Sequence, residues 1–148
     1  MNILFVCTGN TCRSPLAEVL ARRIAQRRGL TDVTISSAGL NAWENCPASD
    51  GSVLVGMERQ VDLTNHRARV LTAEIVSEAD LIFVMTPSHL QQVKQMGGRG
   101  KVHVLDEYAS GVGGEGISDP YGGDLAAYRT TADALELHLE KVFDRLKT

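Results

Sequence analysis

Two short apolar runs, NILFV at 2–6 and LIFVM at 81–85, set the strongest limit on what this chain can fold into. They are continuous rather than alternating, so neither keeps a polar face for water, and both are shorter than a buried helix. Each reads as a strand covered on both sides. After the first run, Ser14-Pro15 supplies an N-cap residue with proline at the first helical position. Leu16, Val19, Leu20 and Ile24 then recur at helical spacing as far as Gly29. Val33 to Ser37 alternates as a second strand closed by Ala38-Gly39. Helical stretches follow Pro47 through Val53, Leu54 and Met57, at Thr72 to Glu78, and at Pro87 to Gln95. Val102 to Leu105 reads as the last strand, and 106–123 as a glycine-rich, weakly periodic segment. Leu125, Tyr128, Ala132, Leu135, Leu139, Val142 and Leu146 return at steps of three and four, which predicts a long terminal helix. Strands alternating with helices predict an α/β parallel sheet with helices on both faces, NILFV at its centre, and a site at the carboxyl ends of the strands.

A chain of 148 residues suits one compact domain, taken as 1–148. The net charge of −3 leaves no global basic field to recruit nucleic acid. Three cysteines, Cys7, Cys12 and Cys46, are too few for a disulfide framework and form no pair of zinc knuckles, so a reducing compartment is expected. The run Ile3 to Val6 is too short for a secretion leader or a membrane span, and a cytoplasmic protein with no membrane partner is expected. Arg22, Arg23, Arg27 and Arg28 complement the end of the first helix and read as a solvated face. His89, His103 and His138 share no ligand spacing. GVGGEG at 111–116 neither follows a strand nor opens a helix, and reads as a loop.

The chemistry is concentrated in CTGNTCRS. Cys7 stands where a buried strand stops, and Arg13 where a helix begins, so the N–H groups of Thr8, Gly9, Asn10, Thr11, Cys12 and Ser14 can curl round an anion. Gly9 is expected to allow the tight path. The same donors, with the positive end of the helix, favour a thiolate at Cys7. Arg13 offers a planar fork for two phosphoryl oxygens. Asp119, in ISDPYGGD, sits on a segment able to swing over a bound phosphate, give a proton to the departing atom and later take one from water. Without such chemistry, Cys7 would be a packed apolar residue, Arg13 a solvated one and Asp119 part of an Asp-Pro turn.

CTGNTCRS near the amino terminus, SAG in the second strand and DPYGG before the last helix resemble the low-molecular-weight protein tyrosine phosphatases over nearly the whole chain. The resemblance implies a four-stranded parallel sheet with a phosphate-binding loop after the first strand, no cofactor, and a cysteinyl-phosphate intermediate. It implies Cys7 as nucleophile, Arg13 as transition-state clamp and Asp119 as acid and base. It further implies that Ser14 donates to the Cys7 thiolate, and that Asn10, Ser37 and His66 form a network shaping the loop. Cys12 and Cys7 are expected to face one cavity, where an oxidised Cys7 could be trapped as a disulfide.

Thr11 departs from the branched aliphatic residue common at that loop position in tyrosine-specific members, and CTGNTCRSP resembles the bacterial protein-arginine phosphatases of the family. A small polar side chain there leaves room and a hydrogen-bond partner for a guanidinium leaving group. Tyr121 could stack on either substrate, and Trp43 and Leu40 are expected on the opposite rim. The reading is a protein phosphatase inclined to phosphoarginine, with phosphotyrosine as the alternative, inorganic phosphate as product, and a monomeric or weakly dimeric state. Arsenate reduction, which would need relay cysteines, and a non-catalytic anion-binding module are more remote.

Overall fold

The computed structural model describes residues 1–146. Strand β1 (Asn2–Cys7) leads to helix α1 (Arg13–Arg27), β2 (Thr34–Gly39), α2 (Asp50–Glu58), α3 (Ala73–Glu78), β3 (Leu81–Val84), α4 (Pro87–Val93), β4 (Val102–Val104), α5 (Leu105–Ser110) and α6 (Leu125–Leu146). All pairings are parallel, in the order β2-β1-β3-β4, so β1 is central as expected.

The alternation of side chains along β1 divides the interior in two. Ile3, Phe5 and Cys7 join Leu16, Leu20 and Ile24 of α1 and Leu135, Leu139 and Phe143 of α6 on one face. Leu4 and Val6 join Val76 of α3, Val84 of β3 and Val93 of α4 on the other. Both faces are thus covered, which is why NILFV shows no polar period. Phe5 stacks on Phe83 with ring centroids 5.7 Å apart, and Tyr108 meets Phe83 edge-on at 5.0 Å. The register sets Cys7 opposite Gly39, at the carboxyl end of the sheet.

Four local readings change. The N-cap of α1 is Cys12, with no side-chain capping bond, and Arg13 and Ser14 already lie inside the helix. Ser14 is not spent as a cap because its hydroxyl turns to the Cys7 sulfur. Leu105 begins α5 instead of ending β4; that helix closes at Gly111 (φ 81) and is too short to display a period within a glycine-rich segment. Helix α4 ends at Val93 and widens into a turn over Lys94–Gly98, in which Gly97 has φ 102. Strand β2 starts at Thr34 and runs on to Gly39. Helix α2 tolerates Gly51 because a Cβ there would lie 2.5 Å from the Tyr128 ring, so helix α6 packs directly on the backbone.

Phe83 is fully buried between Phe5 and Tyr108. Phe83→Ala is expected to lower the unfolding free energy by about 3–5 kcal/mol, read from urea denaturation monitored by circular dichroism.

Candidate active site

Helix α1 starts at the mouth of β1, and the loop joining them wraps the Cys7 sulfur. Ser14 Oγ lies 2.9 Å from Cys7 Sγ, and the Asn10 backbone N–H donates to Sγ at 3.3 Å. Asn10 is wholly buried in the left-handed region, with φ 56. Short polar residues tolerate that conformation best. Gly9 therefore does not provide the tight path: its φ is not positive, and a Cβ there would make only an ordinary contact, 3.5 Å from Thr11 Oγ1. The close approach is at Gly39, where a Cβ would stand 2.7 Å from the Thr8 carbonyl oxygen and 2.9 Å from the Asn10 nitrogen.

Asn10 is held from all sides. Its Nδ2 donates to Ser14 Oγ at 2.8 Å and Ser37 Oγ at 2.9 Å, its Oδ1 accepts from the Arg69 N–H at 3.0 Å, and its carbonyl lies 2.7 Å from His66 Nε2. The donor directions are forced from outside. The Glu18 carboxylate only accepts, so Ser37 Oγ donates to it at 2.5 Å and must accept from Asn10. Arg69 offers an obligatory donor, so Oδ1 faces it. Asn10 Nδ2 then spends a proton on Ser14 Oγ, which leaves the Ser14 hydroxyl proton for the Cys7 sulfur. A hydroxyl aimed there favours the thiolate. Asn10, Ser14, Ser37 and His66 are thus brought together as a network, which Glu18 and Arg69 extend.

Among the described residues, no hydrogen bond occupies the backbone N–H of Gly9, Thr11, Cys12 or Arg13, so these donors remain available to an anion. Arg13 is 4% exposed, with Nη1 donating to the Ile117 carbonyl at 2.9 Å and Nη2 3.6 Å from Asp119 Oδ2. The Asp119 side chain is 48% exposed, and its Oδ1 accepts the Tyr121 N–H at 3.1 Å. Upstream of it, the Gly116 and Ile117 N–H groups donate to Asp106 Oδ2 and the Met85 carbonyl. The glycine-rich segment is therefore anchored just before Asp119.

Cys7, Thr8, Gly9, Thr11, Cys12, Arg13, Asn41, Asp119 and Tyr121 line one cavity of about 370 Å³. Both Cys7 and Cys12 are free thiols, as is Cys46. Cys12 Sγ donates to Ser49 Oγ at 3.3 Å and lies 3.6 Å from the Tyr128 hydroxyl. Tyr121 stands at the mouth, 78% exposed. Two expected rim residues do not line this cavity. Leu40 packs against the second core, and Trp43 is 79% exposed outside it; Asn41, between them, is the residue that faces in. One turn of backbone after β2 decides this, and no local pattern announces it.

His89, which shares no ligand spacing with His103 and His138 in the sequence, also reaches the site. It is 6% exposed, and its Nε2 lies 3.0 Å from Thr8 Oγ1. Burial, with Arg13 nearby, pushes its pKa down to about 4, while Asp119 opposes weakly. Glu18 could have been found, because it follows Ser14 by four positions on one helix face. Among the described residues, no three His, Cys, Asp or Glu side chains gather as metal donors, and no helix is long and apolar enough to cross a membrane.

The family model described as low molecular weight phosphotyrosine protein phosphatase matches residues 2–148. A protein-arginine-phosphatase of Bacillus subtilis is 43% identical over 149 residues, covering 99% of this chain and 97% of that protein. A low molecular weight protein-tyrosine-phosphatase, PtpB, of Staphylococcus haemolyticus is 40% identical, covering 91% and 92%. The structure of a YwlE arginine phosphatase, a C7S mutant with a phosphorylated active-site serine, superposes with a TM-score of 0.94 at 42% identity and covers 100% of this chain and 97% of that one.

Gly39→Ala should push the loop away from β2 and lower kcat/KM on an aryl phosphate by about tenfold or more, measured by steady-state kinetics. His89 gives a second test. Its folded pKa of about 4 lies below the ordinary 6.5, so the unfolded chain binds the extra proton between those values. Its stabilising contribution is full above pH 6.5 and is lost as pH falls toward 4. Unfolding free energies across that window should fall by roughly 1–3 kcal/mol from this group, and His89→Gln should flatten that part of the slope.

Proposed function

The chain belongs to the low-molecular-weight phosphotyrosine protein phosphatase family, and from that premise we propose that it hydrolyses phosphoarginine in proteins through a cysteinyl-phosphate, without a metal. The observation that carries the reading is the convergence of Cys7, Arg13 and Asp119 on one cavity, with the Cys7 sulfur held by Ser14 and the Asn10 N–H. The Cys7 thiolate attacks phosphorus, an S–P bond forms, and the bond from phosphorus to the departing nitrogen breaks. Asp119 gives its proton to that nitrogen. Water then attacks the phosphocysteine and loses a proton to Asp119, the S–P bond breaks, and inorganic phosphate leaves with Cys7 again a thiolate. Arg13 and the free loop N–H groups meet the phosphoryl oxygens as their charge redistributes.

Phosphoarginine is preferred because Thr11 places a small polar side chain in the cavity, and because relatives named arginine phosphatases align over 99% of the chain. Tyr121 offers an aromatic face at the mouth for a planar guanidinium. Phosphotyrosine is the second reading, favoured by the tyrosine phosphatase name of a relative 40% identical. We read residues 1–148 as one phosphatase domain. We take the protein as cytoplasmic, on its few unpaired cysteines, and as a monomer or weak dimer with no nucleic-acid or membrane partner.

The test compares kcat/KM on a phosphoarginine peptide and its phosphotyrosine counterpart, for wild type and Thr11→Ile. Wild type should favour phosphoarginine, and the substitution should move the ratio toward phosphotyrosine by about tenfold or more. A wild-type preference for phosphotyrosine that Thr11→Ile leaves unchanged would overturn the substrate. Cys7→Ser turning over at the wild-type rate would overturn the chemistry.

A further inference from the structure

We propose that His89 is a positioning residue which, as its Nε2–H tautomer, donates to Thr8 Oγ1 and thereby frees the Thr8 hydroxyl proton as a donor to an oxyanion in the cavity. This rests on the phosphatase reading and adds to it a pair outside the Cys7, Arg13 and Asp119 chemistry.

His89 Nε2 and Thr8 Oγ1 lie 3.0 Å apart, so one hydrogen lies between them and either atom could own it. The ring is neutral near pH 7, since burial and the Arg13 charge both disfavour its cation, and a neutral imidazole has a single N–H to place. The other ring nitrogen, Nδ1, is buried without a hydrogen-bond partner among the described residues. Placing the proton on Nδ1 would orphan a buried N–H, which folded proteins rarely do, whereas an unpaired buried acceptor is better tolerated. The proton therefore belongs on Nε2, and Thr8 Oγ1 is the acceptor.

Thr8 then has its own hydroxyl proton unused. Thr8 is exposed and lines the same cavity as Cys7 and Arg13. A hydroxyl pinned through one lone pair cannot swing freely, so its proton is presented over a restricted arc at the mouth of an anion site. Donors preorganised in this way bind oxyanions better than freely rotating ones. His89 reaches Thr8 from α4, a position far from the loop in sequence.

The experiment measures the inhibition constant of orthovanadate, and kcat and KM on an aryl phosphate, for Thr8→Val, His89→Leu, their double variant and His89→Gln. It also records the 15N resonances of His89 in the unmodified protein. Thr8→Val and His89→Leu should each weaken vanadate binding by about two- to tenfold, with KM rising more than kcat falls. The double variant should be no weaker than Thr8→Val alone, because both remove one donor. His89→Gln, whose amide N–H can replace Nε2–H, should recover binding to within about twofold of wild type. The NMR spectrum should show Nε2 protonated and Nδ1 bare. Wild-type vanadate affinity in Thr8→Val, additive losses in the double variant, or a proton on Nδ1 would each overturn the proposal. A wild-type protein that binds vanadate yet turns over no aryl phosphate would instead strike the phosphatase reading on which it rests.

Discussion

Everything at the site depends on the side-chain amide of Asn10. A buried residue at φ 56 is held there only if its surroundings over-determine it, and here the amide is bonded by Ser14, Ser37 and the Arg69 N–H while the carbonyl meets His66. Those partners come from α1, from β2 and from the segment between α2 and α3. The loop is consequently a rigid joint between elements rather than a flexible connection. Its rigidity leaves several backbone N–H groups without internal partners, the condition an anion site needs.

The direction of the network matters as much as its existence. Glu18 can only accept and the Arg69 N–H can only donate, and between these two fixed ends the donors and acceptors of Ser37, Asn10 and Ser14 have a single consistent assignment. That assignment ends with a hydroxyl proton at the Cys7 sulfur. A structural cysteine would gain little from such an arrangement, whereas a nucleophile is stabilised as thiolate by it. The same logic of obligatory protons places a hydrogen on His89 Nε2, so two separate chains of polar groups converge on the loop from opposite sides of the sheet's end.

Asp119 stands in a different mechanical setting. Gly116 and Ile117 are tied to Asp106, Met85 and Arg13, so the glycine-rich segment is anchored immediately before Asp119. Arg13 links the two halves: one guanidinium nitrogen steadies the Ile117 carbonyl and another lies 3.6 Å from the Asp119 carboxylate. Arg13 and Asp119 are thereby positioned together.

The apolar runs NILFV and LIFVM, and the periodic residues from Leu125 to Leu146, were enough to determine a parallel sheet clad in helices, since continuous burial and helical spacing are local properties of a chain. The Cys7 to Arg13 spacing at a strand end was likewise legible, because strand, turn and helix start are adjacent in sequence. Resemblance to a known family added Ser37 and His66, which no local pattern distinguished. What the sequence alone left open was everything that depends on meetings across long separations: that Asn10 and Gly39, not Gly9, make the loop tight; that Ser14 serves Cys7 in place of capping α1; that Asn41 and not Leu40 or Trp43 faces the cavity; that His89 reaches Thr8. Hydrogen-bond partners and steric limits of this kind are set by the distance between atoms, and only the packed fold brings residues 10, 37, 66, 69 and 89 within that distance.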